Sequence, residues 1–186
     1  EISACLVGSE MCIRDSVIYS AARGSARTSS GTTALPAGQK VAVGAAGLTK
    51  AKIIQTKKLF RANEADEENG EELYFAYGAE QMEDLMNDTT LTSADFLAVQ
   101  MLQDGNVGKK WMGFKWIPSE RMYKSGNDRY CVAWAKSGMA LGVGAEVMTR
   151  VTERADKSYA LQPYARMSIG AVRVEEAKVV EVACQE

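Results

Sequence analysis

Glu72-Leu-Tyr-Phe-Ala-Tyr-Gly78 is the stretch on which the fold turns. Leu73 to Tyr77 are apolar or aromatic on both alternating faces, the mark of a strand buried on both sides. Such a strand needs cover above and below, so helices are expected around it. Gly78 ends it, and Ala79 to Asn87 places Met82, Leu85 and Met86 at helical spacing. Upstream, the acidic run from Glu64 to Glu72, broken by Gly70, reads as a solvated turn. Before that turn a helix is expected from an N-cap at Thr49 to about Asn63. Ile53, Ile54 and Phe60 form its apolar stripe, and Lys57 and Lys58 flank them.

Further out, Ser93 caps a second short helix carrying Phe96, Leu97, Val99, Met101 and Leu102. The remainder reads mainly as β. Strands are expected at Trp111–Ile117, closed by Pro118, and at Tyr130–Trp134. Met139–Val143 is a short strand or a turn of helix, and Glu146–Thr152 alternates apolar and polar residues. Tyr159–Val174 is a long extended segment interrupted by Pro163 and Gly170, and Lys178–Ala183 closes the chain. Residues 17–47 are rich in Ser, Thr, Ala and Gly and read as a loop or arm, with a short strand at Val41-Ala-Val43.

Composition narrows the function. At 186 residues, 46% hydrophobic and 25% charged, the chain suits one globular domain. No apolar run approaches the roughly 20 residues of a membrane helix. A net charge of −2 argues against a module that binds nucleic acid through a basic surface. The chain has no histidine. That removes Ser-His-Asp and Cys-His nucleophile systems, His-containing zinc sites and the usual acid–base group near neutral pH.

The N-terminus is anomalous. Leu6-Val-Gly-Ser-Glu-Met-Cys-Ile-Arg-Asp-Ser16 resembles the translation of a transposase-adapter end from sequencing libraries. Residues 1–16 are therefore expected to be an adapter artefact joined to a gene interrupted midway. Setting them aside leaves Cys131 and Cys184, too few for a disulfide framework and without metal-ligand spacing. Both fall in apolar strands and read as buried, inert thiols.

The motifs that could carry chemistry are weak. Gly142-Val-Gly144 lacks the third glycine and the following helix of a dinucleotide loop, and Gly108-Lys109 lacks the rest of a phosphate loop. Asp66, Glu67, Glu68, Glu71 and Glu72 are clustered carboxylates of the kind hard cations use, but they match no calcium loop and read as solvated. Glu83 and Asp84 are neighbours on a helix and point too far apart to flank one bond. Trp111, Phe114, Trp116 and Tyr123, near Lys109, Lys110 and Lys115, could stack bases, but strand aromatics more often anchor a core or an interface. No catalytic, cofactor-binding or metal-binding residue is assigned.

Charge is segregated. Glu64 to Asp104 holds twelve acids and no Lys or Arg, whereas Lys109 to the end holds 13 basic and 9 acidic residues. Contacts between copies of the chain, the acidic segment of one against the basic C-terminal surface of the next, would use this asymmetry.

The ordered series resembles a known family. Gly47-Leu-Thr49 leads into a helix, followed by Glu72–Gly78, Gln81-Met-Glu-Asp-Leu-Met86 and Trp111-Met-Gly-Phe-Lys-Trp-Ile-Pro118. Arg129-Tyr-Cys-Val-Ala-Trp134, Arg150–Lys157 and Ser168-Ile-Gly-Ala-Val-Arg-Val174 then precede a Val-rich strand. Over about residues 44–184 this resembles the major capsid proteins of tailed bacteriophages, with the Hong Kong 97-like fold. The resemblance implies that residues 48–186 form one α+β unit, with axial-domain helices around a sheet, and peripheral-domain strands. It also implies that the N-terminal arm, extended loop and spine helix are lacking. It further implies a non-enzymatic virion protein that self-assembles into the icosahedral head, with scaffolding and portal partners. Contact with packaged DNA would be at most non-specific, with no membrane role. A tail or decoration protein and a carboxylate-dependent hydrolase are the alternatives.

Overall fold

The computed structural model describes residues 2–29, 31–87 and 110–186, with side chains described from Cys12 onward. The helix expected from Ser93 and the Gly108-Lys109 pair lie outside the described residues. The helices are α1 (Ile2–Arg23), α2 (Lys50–Ala62) and α3 (Ala79–Asn87). The strands are β1 (Ala26–Thr28), β2 (Gly31–Thr33), β3 (Lys40–Val41), β4 (Leu73–Tyr77), β5 (Phe114–Pro118), β6 (Lys124–Ser125), β7 (Asp128–Ala135), β8 (Met139–Arg154), β9 (Ala160–Arg173) and β10 (Val179–Gln185). No described helix is long and apolar enough to cross a membrane.

The central sheet runs β3-β10-β7-β4-β5, with β6 added beside β7. β7 is antiparallel to both β4 and β10, while β4–β5 and β10–β3 are parallel. Alternation along β7 divides the core into two layers. Cys131, Ala133 and Ala135 join Ile53, Phe60 and Leu85, so α2 and α3 cover that face. Val132 joins Ala22 and Val179 on the other face, where Tyr19 of α1 meets Trp134 edge-on at 6.2 Å. β4 is buried on both sides, as its sequence requires.

Aromatic packing holds the β4–β5 half. Phe75 lies 4.6 Å from Trp116 and 5.7 Å from Phe114, centroid to centroid, and the Trp116 Nε1–H donates to the Trp111 carbonyl at 3.1 Å. These rings are core anchors. Of the four aromatics considered for base stacking, only Tyr123 is well exposed, and the Arg23 guanidinium sits 3.9 Å above it.

Three sequence expectations need correction. Residues 17–23 are the last turns of α1, so the loop read over 17–47 begins at Gly24. Tyr19 and Ala22 are buried, so tertiary contact sustains a helix that composition alone does not signal. The strand expected from Trp111 starts at Phe114. Met112 and Gly113, with φ of 51° and 85°, turn the chain so that Trp111 and Phe114 exchange backbone hydrogen bonds. Finally, Met139–Val143 and Glu146–Thr152 are one strand, β8, continuous through register shifts near Ala145.

Thr49 does stand at the start of α2, although its side chain makes no capping bond. Asp84 instead accepts the Leu48 N–H at 2.8 Å. Gly47 permits this approach, because a Cβ there would lie 1.9 Å from the Asp84 Oδ2. Glu83 is exposed and Asp84 is engaged, so the two acids do not converge.

Glu186 ties together the ends of four elements, accepting from Arg129 (β7), Lys124 (β6) and Gln81 (α3) just after β10. Burial alone would raise its pKa, but these donors outweigh burial and lower it from 4.5 to about 2. Because the folded value lies below the unfolded one, the stabilisation is complete above about pH 4.5 and is lost as pH falls toward about 2. Thermal midpoints should therefore fall across that window. Glu72, lowered to about 2 by hydrogen bonds from Lys115 and Tyr74, titrates in the same range. Glu186→Gln should thus reduce the acid slope without abolishing it, and an unchanged slope would clear Glu186 as a cause.

Candidate interaction surface

β8 and β9 form a separate two-stranded antiparallel ribbon. A lone two-stranded ribbon is marginal in water unless something packs on it. Here α1 lies against β9, and Ile13, Val17 and Ala21 help line a cavity with Ala171. Arg173 fastens the base of the ribbon. Its side chain is buried and donates to the carbonyls of Ala22 (2.9 Å), Gly24 (2.7 Å) and Thr33 (2.9 Å).

The odd positions of β9 are all apolar from Leu161 through Pro163, Ala165, Met167 and Ile169 to Ala171. Period-two alternation puts them on one face of the ribbon. Met167, Ile169 and Ala171 are half-buried, whereas Leu161, Pro163 and Ala165 are exposed. The apolar stripe thus outruns its cover. Across the register, Val151 pairs with Pro163 and extends the bare patch, with Val151 60% and Leu161 67% exposed. Pro163 is tolerated because a two-stranded ribbon leaves every other backbone group unpaired.

The opposite face is basic, with Arg150 across from Tyr164 and Arg166 across from Met148. Arg154 shares that side and is neutralised by Asp156, its Nε donating at 2.9 Å. Gly142 and Gly144 lie within β8, so the dinucleotide-like spacing forms no phosphate loop. Sequence reasoning found the long extended segment but not its bare face, although the alternation at Leu161–Ala171 was there to be read.

The acidic run is engaged within its own chain. Lys57 pairs with Glu67, Arg61 with Asp66 and Glu68, Lys178 with Glu71, and Lys115 and Lys136 with Glu72. The five carboxylates that could have held a cation, Asp66, Glu67, Glu68, Glu71 and Glu72, already have cationic partners. No cluster of metal-ligating side chains occurs among the described residues. Cys131 and Cys184 are both fully buried on the α2–α3 face of the sheet. The neighbouring Cys184 thiol and burial together push the Cys131 thiol well up, keeping it protonated.

What the described residues present here is a packing surface. The most similar structures include one from Mycobacterium phage Che8, at TM-score 0.70 and 18% identity, covering 97% of this chain. The capsid of an empty GTA particle matches at TM-score 0.65 and 14% identity over 100% of the chain. The capsid of cyanophage P-SCSP1u matches at TM-score 0.56 and 17% identity over 92%. The chain spans 61%, 65% and 60% of those proteins, respectively. At these identities the likeness establishes the fold, which is the α+β capsid fold expected from the motif series. A search of curated protein sequences finds no significant match. A family profile described as phage capsid protein matches residues 3–186, so the chain belongs to the phage capsid protein family.

Proposed function

We infer that this chain is part of a shell-building subunit that self-associates into the icosahedral head around a phage genome. The observation that carries this reading is the bare apolar stripe on the β8–β9 ribbon, at Val151, Leu161 and Pro163. A monomer would leave that face and both ribbon edges in water, which disfavours a soluble resting state and favours a neighbour. A second copy is the simplest neighbour, because a shell presents each subunit with identical ones through heterologous contacts. In this reading the subunit works by packing and has no catalytic role. Scaffolding and portal proteins act as assembly partners in the host cytoplasm, and DNA is met at most non-specifically.

The test is sedimentation and electron microscopy of the purified chain over a range of concentration. Closed shells or regular multi-subunit oligomers are expected. A chain that stays monomeric at every concentration, with its fold intact by circular dichroism, would overturn self-association as its function.

A further inference from the structure

α2 carries Lys50, Lys52, Lys57, Lys58 and Arg61 and no acid. Three of these cations are occupied. Lys52 is buried and donates to the carbonyls of Ala46 and Ala183 at 2.6 and 2.8 Å, Lys57 meets Glu67, and Arg61 bonds both Glu68 oxygens at 3.0 and 2.7 Å. Among the described residues Lys50 and Lys58 have no carboxylate partner. With Ile54, which is 48% exposed, they fall at spacing four and form one stripe on the helix. Beside this stripe Ile54, Ala62 and Met112 floor a groove of about 470 Å³ rimmed by Lys57, Lys58 and Arg61.

α3 has the opposite character, with Glu80, Glu83 and Asp84 and no base. Asp84 is taken by the Leu48 N–H, leaving Glu80 and Glu83 exposed one turn apart, flanked by half-buried Met82 and Met86. Both helices lie on the same face of the sheet. Since Asp66, Glu67, Glu68, Glu71 and Glu72 are paired internally, α3 is where, among the described residues beyond Glu72, the acidic segment still offers free charge. An apolar centre at Ile54 flanked by the unpaired ammonium groups of Lys50 and Lys58 fits a partner bringing carboxylates around it. α3 of another copy is such a partner.

We propose that α2 of one copy docks against α3 of another, with Glu80 and Glu83 over Ile54 between the ammonium groups of Lys50 and Lys58. This rests on the self-association reading and names one of its contacts. Complementary stripes of this kind set register and orientation, and like charges in their place oppose association.

The experiment uses two charge-reversed chains, Lys50→Glu with Lys58→Glu, and Glu80→Lys with Glu83→Lys. These side chains are exposed or half-buried, so circular dichroism and melting should match the parent chain. Each variant alone places like charges at the contact. The concentration for half-assembly in sedimentation velocity should then rise by about tenfold or more. An equimolar mixture restores opposite charges at every contact if copies alternate, and should assemble within about threefold of the parent. Rescue on mixing cannot come from a contact within one chain. If either variant assembles like the parent, or if the mixture stays as poor as its components, the α2–α3 contact is wrong while the parent's assembly still supports the shell reading. If only the α2 variant is impaired and mixing does not help, α2 meets a different acidic partner and the proposal falls. A parent chain that never associates removes both readings.

Discussion

Arg173→Met should destabilise the folded chain by about 3 kcal/mol, since hydrogen bonds to a charged donor are worth more than neutral ones and buried acceptors left unpaired cost about 1–3 kcal/mol each. The arginine is completely buried and gives three hydrogen bonds, to Ala22 and Gly24 at the end of α1 and to Thr33 in β2. Methionine fills much of the same volume, so lost hydrogen bonding dominates over cavity formation. Partial hydration of the two less buried carbonyls and the desolvation cost of the native guanidinium keep the figure near the lower end. For a chain of this size that loss corresponds to a fall in melting midpoint of roughly 6–12 °C. Arg173→Lys should recover only part of it, because one ammonium cannot reproduce a planar fork reaching three carbonyls. Proteolysis between Gly24 and Thr33 should rise in parallel, since this segment loses the bonds holding it to β9. A midpoint shift below about 2 °C would mean that water replaces the guanidinium and that the ribbon is anchored by α1 packing instead.

The elements legible in the sequence were those whose stability is local. α2 between Thr49 and Asn63, β4 up to Gly78 and α3 from Ala79 all lie where apolar spacing and a terminating residue agree. Those that escaped depend on partners distant in the chain. Val17–Arg23 has small and polar residues that suit a loop. It is helical because Tyr19 and Ala22 pack against β7 and β10, more than a hundred residues later. In β8, Gly142 pairs in register with Gly170, and Gly144 falls at the register shift between Val143 and Ala145, which leaves the strand continuous. The acidic run looked like free surface charge, yet Asp66, Glu67 and Glu68 turn back onto Lys57 and Arg61 of α2, and Glu71 and Glu72 are neutralised by Lys115, Lys136 and Lys178, 43 or more residues away. The interaction surface was half legible. The alternation from Leu161 to Ala171 is plain in the residues, but its exposure depends on how far α1 reaches along the ribbon.

That exposure leads to the largest expected effect on assembly. Val151→Asp combined with Leu161→Asp should abolish shell or oligomer formation while leaving the melting midpoint of the monomer nearly unchanged. Both side chains are more than half exposed in the single chain, so little folding energy is lost with them. In an assembly each would bury apolar surface worth about 1.5–3 kcal/mol, and together about 4 kcal/mol after incomplete burial is allowed for. Four kcal/mol per contact is roughly a thousandfold in association constant, and a carboxylate stranded in an apolar contact adds to the penalty. The opposite face supplies the control. Gln162→Asp introduces the same charge one residue from Leu161 but on the basic side of the ribbon, next to Arg150 and Arg154 in the cross-strand register, and should leave assembly unchanged. If the Gln162 variant failed and the Val151/Leu161 variant assembled, the basic face would be the buried one. If both assembled like the parent, the ribbon would be free of neighbours, and the bare stripe would no longer support a shell subunit.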